Sequence, residues 1–109
     1  VKRQVEVEIL PMAISEAFNI APYSPLGGGL LTGKYSAGEG GRLSDDKMYK
    51  ARYGDDWMHD AARELSELGA EIGVHPATLA VSWVARNPGI SHPIISARSV
   101  EQFKPSVIG

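Results

Sequence analysis

Cysteine is missing from this 109-residue chain. Its absence excludes disulfides, thiolate catalysis and cysteine-type zinc sites, and makes an intracellular, cytoplasmic setting the expectation. Long apolar runs are missing too: none approaches the ~20 residues of a membrane span. The opening Val1-Lys2-Arg3-Gln4-Val5-Glu6 has no apolar stretch of the signal-peptide kind. No methionine stands first, as in a processed, recombinant or shortened chain. An excess of one charge sign is also lacking. With 11 Lys and Arg against 13 Asp and Glu the net charge is −2, which gives no pull toward nucleic acid or an anionic membrane. Histidine is scarce, and His59, His75 and His92 lie too far apart in sequence for a metal-ligand motif, so no metal site is expected.

What is present is ordinary soluble-domain material: 43% apolar and 22% charged residues, enough for one small domain. Glycine is the exception. Of 12 glycines, 7 fall between Gly27 and Gly41 and separate two apolar-periodic regions.

In the first region Val5, Ile9, Met12 and Ala13 recur at helical spacing, which predicts a helix over residues 6–17, with Pro11 in its first turn or bending it and Asn19 as its left-handed stop. Residues 20–24 read as a short strand. Residues 36–53 read as a long loop without period. Trp57, Ala61, Leu65, Leu68 and Ile72 form a helical stripe, predicting a helix over 56–72 stopped by Gly73. Pro76 opens the next helix, with Leu79, Ala80, Trp83 and Val84 as its buried face and Asn87-Pro88-Gly89 as its end. Residues 92–96 read as a second strand. Ser99 and Gln102 form a capping box for a last helix, which Pro105 should disturb after one turn. Strands alternating with helices argue for parallel α/β units. Two strands alone do not make a stable sheet, so the chain reads as part of a larger α/β layer.

Four blocks of this sequence resemble the aldo-keto reductase family. Tyr23-Ser24-Pro25-Leu26-Gly27-Gly28-Gly29-Leu30-Leu31-Thr32-Gly33-Lys34-Tyr35 is similar to that family's seventh strand and following loop. Arg3 to Pro11 resembles the helix before it, Pro76 to Val84 the helix before the eighth strand, and Pro93 to Gln102 that strand and the adenosine-phosphate site beyond it. The resemblance implies the last βα units of a TIM (β/α)8 barrel, with parallel strands and helices, and makes residues 1–109 the C-terminal fragment of a reductase domain. It implies NADP(H) as cofactor and reduction of a carbonyl to an alcohol. The family's catalytic Asp, Tyr, Lys and His come from earlier strands that no block here matches. No catalytic residue is therefore expected in this chain, and no turnover from it alone.

Residue by residue, the resemblance puts Tyr23 against the nicotinamide, where a flat ring holds one cofactor face. Its plain alternative is a core tyrosine at a strand end. Ser24, Leu26 and Gly28 match residues along the pyrophosphate, where missing side chains let backbone N–H groups approach phosphate oxygens. Lys34 and Arg42 match cations near the phosphates, against the alternative of solvated surface charges. Arg98 matches the 2′-phosphate position, where a guanidinium fork favours NADP over NAD. Gln102 matches an adenosine contact, or simply completes the capping box. Three positions depart from the family pattern: Ser96 replaces a common glycine, Pro105-Ser106 a common Glu-Asn pair, and His75 a common Ser or Thr. The alternative to an enzyme part is a non-catalytic NADP(H)-binding or assembly module that forms a homo-oligomer or pairs with a complementary barrel fragment.

Overall fold

A computed structural model describes residues 1–108, with the backbone alone of Arg42. A 3-10 turn, Gln4–Glu6, precedes α1, Ile9–Ser15. This divides the helix expected over 6–17. Pro11 is the third residue of α1, inside the first turn, where its missing N–H leaves no bond unmade. The stop is Ala17, not Asn19: Ala17 takes the left-handed φ of 56°, and the Phe18 N–H returns to the Ala13 carbonyl at 2.8 Å.

The two expected strands are reduced to isolated parallel bridges, Ile20 with Ile90 and Tyr23 with Ile94. The parallel sense agrees with the α/β expectation, but a sheet does not form among the described residues. Two well-formed hydrogen bonds join the segments, Ser91 N–H to Ile20 O and Ile94 N–H to Pro22 O, both 2.8 Å. Pro22 and Pro93 carry no N–H. The spacing is also unequal, three residues from Ile20 to Tyr23 but four from Ile90 to Ile94, so the ladder is broken between its rungs.

A second departure falls on residues 36–53. Instead of one long loop, two helices occupy its latter part: α2, Arg42–Asp45, and α3, Lys47–Tyr53. Asp46 caps α3 by accepting the Met48 N–H at 2.8 Å. Tyr49 and Tyr53, one turn apart, lie ring to ring at 6.4 Å between centroids. These helices close over the core: Leu30, Leu43, Tyr53, Met58 and Ala62 are buried together, with Leu31, Tyr35 and Tyr49 packed on their edge. Leu30 is 1% exposed, a burial that contributes about 2 kcal/mol.

The long helix α4, Asp56–Ile72, has the expected bounds, with Gly73 at φ 71° as its stop. Its buried face differs from expectation. Met58, Ala62 and Gly69 face inward, while Trp57, Leu68 and Ile72 are about half exposed. Small residues win because α4 must approach the next segment closely: a methyl on Gly69 would stand 2.5 Å from the Val74 carbonyl. Helix α5, Pro76–Ala85, starts on Pro76 as expected and buries Ala77, Ala80 and Val81, leaving Trp83 half exposed. Helix α6, Val100–Ile108, runs through Pro105 rather than failing there. It packs on α5, where Thr78 Oγ1 donates to the Pro105 carbonyl.

Candidate functional site

The site grows from the glycine turn. Ser24 at φ 56° leaves the first bridge segment in a left-handed conformation, and Gly27, Gly28 and Gly29 follow at φ 58°, 66° and 95°. Three successive left-handed residues are feasible at low cost only for glycine. Backbone bonds lock the turn: Gly27 N–H to Ser24 O, Gly29 N–H to Leu26 O, and Leu31 N–H to Leu26 O, at 3.0–3.1 Å. The chain then makes one 3-10 turn, Leu30–Thr32, whose Thr32 Oγ1 bonds the Gly29 carbonyl at 2.7 Å. Gly33, again left-handed, delivers Lys34.

Lys34 folds back on this turn. Its Nζ lies 5.0 Å from the Tyr35 ring centroid, and a methyl on Gly29 would stand 3.3 Å from it. The Tyr49 ring covers Gly28 so closely that a methyl there would be 2.6 Å from its Cδ1. At the far side Ser99 caps α6 by accepting the Gln102 N–H at 3.3 Å, and Gln102 Oε1 accepts the Arg98 N–H at 3.3 Å. The capping box is formed, with the glutamine reaching one residue further back than Ser99. Gln102 is thus engaged in the structural role that the sequence offered as its alternative.

A cleft of about 980 Å³ runs between these parts. Tyr23, Ser24, Leu26, Gly28, Lys34, Arg98 and Gln102 all line it. Tyr23 is 68% exposed, a ring presented to the cleft rather than a core tyrosine. Arg42 opens α2; its side chain lies outside the described residues. Sequence reasoning missed the opposite wall, built from the end of α4 and the start of α5, including Ser66, Gly69, Gly73 and His75. His75 is the N-cap of α5, its Nδ1 accepting the Ala77 N–H at 3.1 Å. The signal available was the Gly73-to-Pro76 junction, which marks a helix end facing a helix start.

The cleft suits an elongated anion with an aromatic part. Lys34 and Arg98 supply positive charge at separate places, and Tyr23 a flat surface. Glu39 and Glu101 also line it, so its charge is mixed. Among the described residues no three His, Asp or Glu side chains gather as a metal site, and no helix is long and apolar enough to cross a membrane.

Helices joined through two parallel bridges, with a cleft lined by the glycine turn, Lys34 and Arg98, are the frame on which the family comparison bears. The family model for the aldo/keto reductase family matches residues 1–107, and the chain belongs to that family, one of oxidoreductases. It is 34% identical over 109 residues to YrpG, an uncharacterized oxidoreductase of Bacillus subtilis, covering 97% of this chain and 31% of that protein. It is 33% identical over 113 residues to a probable voltage-gated potassium channel subunit beta of Arabidopsis thaliana, covering 97% and 34%. Protein tas of Escherichia coli is 26% identical over 107 residues, covering 96% and 31%. The chain spans about a third of the length of the curated relatives it matches.

Proposed function

We propose that this chain is the C-terminal, cofactor-binding part of a cytoplasmic NADP-dependent aldo-keto reductase, contributing the last βα units of a TIM barrel. The observation that carries this reading is the convergence of Tyr23, Ser24, Leu26, Gly28, Lys34, Arg98 and Gln102 on one cleft, from blocks up to 79 positions apart in sequence. Bound NADPH supplies the hydride that reduces a carbonyl to an alcohol. The residues of this chain bind and orient. Tyr23 backs the nicotinamide, the glycine turn and Lys34 accept the pyrophosphate with Arg42 beside them, and Arg98 takes the 2′-phosphate while Gln102 holds the helix start under it. In this reading the isolated chain supplies no proton donor for the carbonyl and is catalytically inactive.

Fluorescence titration of the 109-residue chain with NADPH and with NADH tests it. Replacing Arg98 by Ala should weaken NADPH by about tenfold or more and leave NADH unchanged, since one hydrogen-bonded charge pair with the 2′-phosphate is lost. Equal NADPH binding by both proteins sinks the phosphate role.

A second reading, assembly, is favoured by surface area. The chain exposes 7133 Å², against roughly 5900 Å² for a compact monomer of its 11.7 kDa mass. The excess is about the area each partner buries in a large obligate interface. Trp57, Trp83, Ile72 and Phe18 are each more than half exposed. The chain thus forms a homo-oligomer or pairs with a complementary barrel fragment, and light scattering should give a mass at least twice 11.7 kDa when it is alone in solution. A monomer that unfolds cooperatively contradicts this.

A further inference from the structure

One side chain joins the glycine turn to the helices that cover it. Tyr35 packs on the edge of the core cluster. Its ring lies 5.0 Å from Lys34 Nζ, within cation–π reach. Its hydroxyl oxygen accepts the Leu43 N–H at 3.1 Å. Leu43 is the second residue of α2, and its amide is a first-turn donor that a helix cannot satisfy internally. Gly41 permits the arrangement: a methyl there would collide with Lys34 Nζ and stand 2.7 Å from Tyr35 Oη. Among the described residues no carboxylate lies within ion-pair distance of Lys34. A cation held by a ring without a counter-charge keeps its affinity for an anion arriving from solution.

We propose that Tyr35 is a positioning residue: its ring fixes the Lys34 ammonium at the cleft, and its hydroxyl tethers that cation to α2 and α3. Anion binding at Lys34 and the order of α2–α3 are thereby coupled, each strengthening the other. This rests on the reading of Lys34 as a phosphate ligand of a dinucleotide. It adds that the cover over the glycine turn senses the phosphate through a single aromatic side chain.

NMR on the 109-residue chain tests the geometry without any ligand. The Lys34 ε-methylene protons should be shifted upfield by the ring. Tyr35→Phe should keep that shift and speed exchange of the Leu43 amide. Tyr35→Leu should lose the shift as well, while the Met58 and Ala62 amides stay protected in both variants. No upfield shift in the parent chain overturns the proposal.

Titrations with NADPH and, in parallel, inorganic pyrophosphate test the coupling. Either anion, binding at Lys34, should slow amide exchange across Leu43–Tyr53, and Tyr35→Phe should abolish this transmitted slowing while still binding. Tyr35→Leu should weaken the anion about fivefold or more in the parent chain but have no further effect in a Lys34→Met background. The same loss in both backgrounds means that Tyr35 acts independently of Lys34, and the proposal fails. Pyrophosphate acting through Lys34 without any binding of NADPH leaves the tether standing and overturns the cofactor reading alone. Neither anion affecting Lys34 overturns both.

Discussion

Thr78 donates a 2.7 Å hydrogen bond from Oγ1 to the backbone carbonyl of Pro105, 27 residues further on. Pro105 O sits in the last turn of α6, where carbonyls have no intrahelical partner. The bond ties α6, the helix that begins at the cleft with Ser99 and Gln102, to the first turn of α5. Thr78→Val keeps the shape and removes the donor, leaving a partly buried carbonyl unpaired. It should cost about 1–2 kcal/mol in denaturant unfolding. An unchanged midpoint would show that water replaces the hydroxyl.

Gly69→Ala should be the more damaging change. The added methyl meets the Val74 carbonyl and the Pro76 ring, both fixed by the turn between α4 and α5. Backbone is not free to retreat as a flexible side chain is, so a loss of about 1–3 kcal/mol is expected. Because this turn forms one wall of the cleft, NADPH affinity should fall with it, measured on protein that is still folded.

Ala17→Gly should do the opposite. Ala17 holds a left-handed φ of 56° that costs an L-residue energy and costs glycine little. Even after the greater freedom of glycine in the unfolded chain is deducted, the variant should be more stable by about 0.5–1 kcal/mol. A fall in the thermal midpoint would refute the strain at this helix end.

Acid should weaken the docking of the N-terminal turn. The Arg3 guanidinium grips Glu6 through two hydrogen bonds of 2.9 and 2.7 Å, and that bond, with the nearby charge and Asn87, holds the Glu6 carboxyl below its ordinary value. A carboxylate whose folded value is depressed contributes stability above its unfolded value and loses it as pH falls through the depressed one. The thermal midpoints of the parent and Glu6→Gln should therefore differ most near neutrality and converge in acid. A difference independent of pH would exclude the ion pair as its source.

How much of this was legible in the sequence depended on what each signal measures. The bounds of α4 and the start of α5 were readable because Gly73 and Pro76 act through local backbone geometry. The buried face of α4 was not. Periodicity weighs Trp57, Leu68 and Ile72 above Ala62 and Gly69, whereas close approach of a neighbouring backbone selects the small residues. Helices α2 and α3 were missed because their apolar members, Leu43, Tyr49 and Tyr53, are spread among charges and find their partner in Leu30 across the core. Asp46 ahead of Lys47-Met48 was a usable cap signal. The strands were over-read because apolar content does not report register: the two backbones lie side by side, but Pro22, Pro93 and the unequal spacing break the ladder between its rungs.

For the cleft, the family blocks named seven positions that share one wall system, while His75 and Ser66 on the facing wall carried no motif. Gln102 illustrates the limit of residue matching: it holds the Arg98 amide, so one side chain serves the helix start whatever else it meets.

The two short bonds between the bridge segments both run in one direction, from Ser91 and Ile94 toward Ile20 and Pro22. Deuterium uptake would therefore hear this pairing from one side only, through the amides of the later segment. The earlier segment contributes carbonyl oxygens, which carry no exchangeable proton, and would stay silent however firmly it is held.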